Sequence, residues 1–263
     1  YRVLVEILAA VAIWLLGTGV DVTSIGALDL GLTVLWIVGI TNAFNLLDNM
    51  DGLAAGLASI SSLTVFSIAA TNGQFLVAAL AIGLTGCTIG FLRHNFHPAR
   101  IYMGDGGSMF IGFLVAYICI KLRFDGGRYL SALIPILACS AAIADTSIVT
   151  ISRLASGLSP FQGGQDHLSH RLVRLGLPVP YAVGTIHLGA VGIGVLTYVV
   201  SGSDPTSAWV LAGMIGVTLV VIGGVLLRVP VGLGDRRSRV QVSAARQTKI
   251  PFDRRFVTAG VSR

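Results

Sequence analysis

The segment Asn42-Ala-Phe-Asn45-Leu-Leu-Asp48-Asn-Met-Asp51-Gly52 sets two amides and two carboxylates at every third residue, between one apolar run and the next. A charged side chain costs several kcal/mol at bilayer depth, so acids that border a spanning segment are candidates for function. On a helix each step of three turns the face by roughly 60°, which makes successive members neighbours. They can aim at one small volume only if the helix tightens or ends there, and Asp51-Gly52 is the expected end. Carboxylates grouped in this way can hold a hard cation or take a proton.

A second group, Arg100-Ile-Tyr-Met-Gly104-Asp105-Gly106-Gly107-Ser108, leads straight into another apolar run. Glycines let the backbone approach an anion or metal closely. Asp105 is a hard oxygen ligand of the kind Mg²⁺ prefers, and Ser108 is expected to cap the helix that follows. An Asp between glycines is by itself a turn; on the same side as Asp48 and Asp51 it reads as a metal ligand. A third group lies in the loop Arg153 … Ser159-Pro-Phe161 … Gly163-Gly164-Gln-Asp166-His167-Leu-Ser-His170-Arg171-Leu172. Zinc would need further ligands, and no cysteine or third histidine stands nearby. Cations and imidazoles grouped like this suit a diphosphate, against the plain alternative of a solvated loop. Asp145 is either a partner for Arg153 or a site residue, and the sequence leaves both open. His94 and His97, around Asn95-Phe96, read as a structural loop. Glu6 is expected to snorkel to the interface and is given no role.

The elements that must carry these groups are apolar. Of 263 residues 54% are hydrophobic and 11% charged, with mean hydropathy +0.83. Soluble domains carry about 25% charged residues, so a soluble fold is excluded. The expected fold is all-α: a polytopic transmembrane helix bundle of about eight spans, near 3–20, 28–45, 53–71, 75–92, 107–122, 130–151, 181–200 and 208–227. These runs are long enough to cross a hydrocarbon core of ~30 Å, and they are continuous rather than alternating, which excludes a barrel. Residues 1–230 read as the membrane domain and 231–263 as a basic, mobile cytoplasmic tail.

Basic residues orient the bundle. With Arg2 inside, fifteen of the 18 Lys and Arg fall on the cytoplasmic side, and Lys121, Arg123 and Arg128 fall outside. Every polar group above then lies on the cytoplasmic side. The sequence pI of about 9.7 needs no nucleic acid, because positive-inside topology and a tail touching anionic membrane lipid account for it. Cys87, Cys119 and Cys139 read as small buried hydrophobes. The absence of a signal-peptide pattern and of an initiator Met reads as an internal start with earlier segments missing. No internal repeat is found, which argues against a secondary transporter.

Taken together these residues resemble the polyprenyl-phosphate N-acetylhexosamine-1-phosphate transferases, from residue 1 to about 230. The resemblance rests on Asn42-x-x-Asn45-x-x-Asp48-x-x-Asp51-Gly52, on Pro98-Ala-Arg-Ile-Tyr-Met-Gly-Asp105-Gly-Gly-Ser108, on Ser159-Pro-Phe161 and on Asp166-His167-x-x-His170-Arg171-Leu172. It implies transfer of a sugar-1-phosphate from a UDP-N-acetylhexosamine to undecaprenyl or decaprenyl phosphate, with release of UMP and a requirement for Mg²⁺. The site would sit at the cytoplasmic face of a bacterial plasma membrane. By motif position, Asp105 resembles the Mg²⁺ ligand, and Asp48 and Asp51 the catalytic acids. Asn42, Asn45, Asp166, His167, His170 and Arg171 would bind substrate. Direct attack with an acid as base is favoured over a covalent intermediate as the smaller assumption. The oligomeric state is open, a homodimer included.

Ser169 stands where the family often has the middle of three histidines, which favours the GlcNAc-1-phosphate branch over the branch that forms lipid I. Asn49 replaces a frequent glycine. The family's adjacent Asp-Asp pair is absent from this sequence, and the family has ten or eleven spans. The chain is therefore expected to lack about three N-terminal spans and, alone, to be inactive or nearly so. The alternative from another class is an ion-coupled transporter with Asp145 as coupling acid. It would concentrate acids at the midplane, whereas here they gather at one interface.

Overall fold

The computed structural model describes residues 1–124, 128–159 and 164–229. The tail expected over 231–263, and Pro160 and Phe161 of the Ser-Pro-Phe motif, lie outside the described residues. Among those described there are ten helices: α1 (Arg2–Leu15), α2 (Gly26–Leu47), α3 (Leu53–Thr71), α4 (Phe75–Asn95), α5 (Gly104–Lys121), α6 (Arg128–Ala138), α7 (Ser140–Ala155), α8 (Leu168–Arg174), α9 (Val179–Ser201) and α10 (Pro205–Leu227).

Six of them, α2, α3, α4, α5, α9 and α10, are long and apolar enough to cross a membrane, and α6 with α7 makes a seventh if the pair is one bent span. This corrects the expected eight. The first apolar run forms a helix of only 14 residues, which at 1.5 Å per residue reaches about 21 Å, short of a ~30 Å core. The sixth run is not one straight helix, because α6 and α7 meet at Cys139 with a bend of 71°. Pro135 lies inside α6. It has no N–H to give the preceding turn and its ring crowds that turn, which lies ahead of the break at Cys139. Hydropathy counts only apolar residues and does not register such a break.

The bundle is built around α3, whose spanning stretch is 72% buried, against 22% for α10 at the periphery. Its sequence, rich in Ala, Gly and Ser, lets neighbouring backbones come close, as helices in lipid require. The hydroxyls do not go unpaired. Ser59, Ser62 and Thr64 donate to carbonyls of their own helix at 2.7, 2.7 and 2.9 Å. Ser61 donates to the Ala138 carbonyl at 2.8 Å, at the point where the bend interrupts the helical ladder. Beside α3, α2 lies against α5 at Gly112, where a Cβ would stand 2.9 Å from the Phe44 Cβ and 3.0 Å from the Thr41 backbone. That close pairing brings the C-terminal end of α2 and the N-terminal end of α5 together.

A candidate active site at one end of the bundle

Helix α2 ends at Leu47, and Asp48 takes its C-cap position. Gly52, with φ 78°, opens α3. An L side chain rarely adopts this left-handed conformation, so glycine is needed to turn the chain within four residues. Asn42 and Asn45 thus stay on the helix, while Asp48 and Asp51 stand on the turn. The Gly52 N–H donates to Asn95 Oδ1 at 3.1 Å, and Asn95 Nδ2 donates to the Ile101 carbonyl at 3.0 Å. Asp51 Oδ2 accepts from the Ala99 N–H and pairs with His97 Nδ1, both at 3.0 Å. Asp51 therefore holds the loop between α4 and α5, and His97 is its partner in that loop.

Helix α5 starts at Gly104, four residues before Ser108, so Ser108 is not the cap expected of it. Its hydroxyl donates back to the Gly104 carbonyl and accepts from Asn45 Nδ2, each at 3.0 Å. Asn45 Nδ2 also reaches Asp105 Oδ1 at 3.1 Å. Arg2, read from sequence only as a marker of topology, completes the group. Its Nη1 donates to Asp105 Oδ2 at 3.1 Å and its Nη2 to Asn45 Oδ1 at 2.6 Å. Half-buried Asp48 faces this cluster. Burial, together with the charges of Asp105 and Asp51, pushes its pKa up to about 6, although the Gly104 N–H pulls the other way.

One turn deeper, Asn42 donates one amide hydrogen to the Glu6 carboxylate and another to the Val38 carbonyl at 2.9 Å. Glu6 is buried, so it does not snorkel. Nothing local marked it out, because its partner lies 36 residues away.

The loop expected to face substrate is divided in its placement. Asp166 is fully buried and grips Arg153 through two hydrogen bonds of 2.7 Å. Burial alone would raise its pKa, but the Arg153 hydrogen bonds and charge outweigh that and hold it below the usual carboxylate value. Arg171 is also fully buried, and it donates to the Asp166, Leu226 and Val229 carbonyls at 3.0 Å each and to Ser152 Oγ at 2.9 Å. Both side chains point into the protein, and the Arg171 guanidinium already satisfies four acceptors there.

His167 Nδ1 pairs with Asp145 Oδ2 at 2.8 Å, and the Leu168 N–H donates to Asp145 Oδ1 at 2.7 Å. Asp145 thus answers the question that the sequence left open: it belongs to the histidine loop, and Arg153 has Asp166. Ser169 Oγ donates to Asn49 Oδ1 at 2.8 Å and ties this loop to the turn that carries Asp48 and Asp51. The His170 ring lies 5.9 Å from that of His167. Burial first, and then the nearby His167, hold His170 below the usual imidazole range, so at neutral pH it is uncharged.

Among the described residues no three His, Cys, Asp or Glu side chains converge closely enough to hold a metal by themselves. The donor set still fits a hard cation. Asp48 and Asp105 repel one another at the mouth, and Mg²⁺ is commonly bound by one or two carboxylates with substrate phosphates completing its shell.

Residues 1–123 match the sequence profile described as glycosyl transferase family 4. That stretch holds Arg2, Asn45, Asp48 and Asp105 together. The same stretch, a little under half of the chain, resembles glycosyl transferase family 4.

The chain is 40% identical over 157 residues to a probable undecaprenyl-phosphate N-acetylglucosaminyl 1-phosphate transferase of Bacillus subtilis, covering 60% of this chain and 44% of the relative. It is 34% identical over 213 residues to a decaprenyl-phosphate N-acetylglucosaminephosphotransferase of Mycolicibacterium smegmatis, covering 73% and 52%. It is also 46% identical over 100 residues to a phospho-N-acetylmuramoyl-pentapeptide-transferase of Heliobacterium modesticaldum, covering 38% and 31%. The chain spans about half the length, or less, of the curated relatives it matches. The chain joins a multi-pass helical membrane domain to a mouth lined by carboxylates and amides.

Proposed function

We propose that the protein transfers an N-acetylhexosamine-1-phosphate, most simply GlcNAc-1-phosphate, from a UDP-sugar to a polyprenyl phosphate and releases UMP. The reading is carried by one observation: Asp48, with its pKa near 6, stands beside Asp105, Asn45 and Arg2 at a single end of a membrane bundle. A soluble nucleotide sugar and a membrane-bound phosphate can meet only at such an interface. We take that end as cytoplasmic from the distribution of Lys and Arg.

In the proposed reaction an oxygen of the lipid phosphate attacks the phosphorus that carries the sugar. A new P–O bond forms, and the bond to UMP breaks with its electron pair. Asp48 takes the proton of the acceptor phosphate as base, a task suited to a pKa just below neutrality. Arg2 and Asn45 orient phosphate oxygens. Asp51 and His97 shape the rim, and Asn42 lies one turn below the attack site. His167 and His170 line the opposite side, while Asp166 and Arg171 hold that side in place. Asp105 would hold Mg²⁺, which when bound would supply positive charge to offset two phosphates brought together. A cavity of about 670 Å³ runs along α2 between Trp36, Ile40 and Pro135 and ends at Ala43. It offers apolar surface to an isoprenoid chain within a turn of Asn45.

A second reading, formation of lipid I, has support from the phospho-N-acetylmuramoyl-pentapeptide-transferase relative. Ser169, bonded to Asn49 where a histidine would stand for that branch, favours the first. The test is transfer from radiolabelled UDP-GlcNAc or UDP-MurNAc-pentapeptide to decaprenyl phosphate in membranes carrying the protein. Labelled lipid and UMP with UDP-GlcNAc alone are expected. Label from the pentapeptide donor alone would replace the first reading with the second, and no UMP from either donor would sink both.

A further inference from the structure

Asp145 and His167 form a buried pair that the reaction above does not require. Each side chain is 4% exposed. The Asp145 carboxylate is buried on α7, where an acid persists only if it is fully used. It is used twice: Oδ2 meets the ring of His167, and Oδ1 accepts the Leu168 N–H. Both partners are donors, and only a group with two acceptor oxygens answers both. The ring nitrogen facing Asp145 is therefore the protonated one, which leaves Nε2 as the lone pair of the neutral ring. Nε2 is the ring nitrogen not engaged by Asp145, on a loop that Ser169 pins to Asn49 beside Asp48.

We propose that Asp145 is a positioning residue that fixes the tautomer of His167, so that Nε2 meets the donor's sugar as a hydrogen-bond acceptor for a hydroxyl or amide N–H. The role in transfer rests on the reaction proposed above; the tautomer does not. Asp145→Asn separates the two demands. A carboxamide has one oxygen, and the Leu168 N–H claims it, so the Asn NH₂ faces the ring and forces Nδ1 to accept. The tautomer flips, and Nε2 becomes a donor.

The experiment is ¹⁵N NMR of histidine-labelled protein in membranes, with His167→Gln assigning the signals, alongside kcat/KM for Asp145→Asn, His167→Ala and the double variant. In the parent, neutral His167 is expected as the Nδ1–H form, and in Asp145→Asn as the Nε2–H form. Asp145→Asn should lower kcat/KM between about 10- and 100-fold, the range for partners that orient a functional imidazole, and cost less than about twofold more once His167 is Ala. Asp145→Glu keeps two acceptor oxygens and should retain the parent tautomer. An Nε2–H parent, an unchanged tautomer in Asp145→Asn, or losses that multiply in the double variant would each overturn the proposal. If Asp145→Asn does not fold, the parent spectrum alone decides. A parent that transfers no sugar would strike the reaction and leave the tautomer of His167, read by NMR, as the test of Asp145.

Discussion

Arg2 and Asn45, 43 residues apart in the chain, meet at 2.6 Å, and both also bond Asp105, Arg2 at Oδ2 and Asn45 at Oδ1. Asp105 thus has both carboxylate oxygens engaged, one by a cation and one by an amide. A metal or phosphate that arrives at the mouth must compete for partners already placed. In the proposed reaction Arg2 would exchange Asp105 for a phosphate as Asp105 turned to a cation.

From that exchange, Asp105→Asn should abolish Mg²⁺-dependent transfer, a loss of about 100-fold or more if the carboxylate supports transition-state charge. Titrating Mg²⁺ against transfer rate checks it. A variant with the parent's rate and the parent's Mg²⁺ dependence would rule out Asp105 as the metal ligand.

Arg2→Ala should raise KM for the UDP-sugar about tenfold, the cost of losing a charge-assisted contact to phosphate. Arg2→Lys should recover part of it, since a point charge replaces a fork that spans two acceptors. Steady-state kinetics with varied donor separates this from a loss in kcat alone.

Asp48 predicts the acid limb of the pH profile. As a base it must be ionised, so kcat/KM should fall tenfold per pH unit below about 6. For stability the sign is reversed. The native carboxyl binds its proton more tightly than the unfolded one, whose pKa is 3.8. The stability this adds is fully present below that value and is lost as pH rises through about 6. Rate and melting temperature measured over the same pH range should therefore move in opposite directions, and Asp48→Asn should flatten both trends.

The pair of Arg153 and Asp166 is 2% and 0% exposed. Arg153→Ala leaves a carboxylate buried and uncompensated, at a cost of about 3–5 kcal/mol. Thermal unfolding in membranes reads it. Asp166→Asn in the same background should restore part of the loss by removing the stranded charge.

Much of the site was legible because its acids are expensive. Asp48 and Asp105 stand at the ends of apolar runs, and cost alone marks them in a linear sequence. Arg2 and Glu6 carry no such mark. An Arg before a span reads as topology and a Glu in a first turn as snorkelling, and only the packing of α1 on α2 turns them toward Asn45 and Asn42. Partner choice was equally hidden. Asp145, Arg153, Asp166, His167 and Arg171 were all visible as polar residues near one loop. Which of them face outward depends on how many buried acceptors surround each guanidinium, a quantity that spacing does not contain. The helical class followed from continuous apolar runs. The count of spans did not, because the first run makes a helix of only 14 residues and the bend at Cys139 costs no hydropathy.

The bond from Ser169 to Asn49 joins residues 120 positions apart. A chain made from its N-terminus lays down α2 and its acids long before the histidine loop exists, and α8 follows only after α7. The two halves of the mouth are thus separated in time as well as in sequence. Until the loop docks, the growing chain holds acids and amides without the Ser169 contact. For the proposed reaction, completion of the fold would be what brings both walls to the mouth.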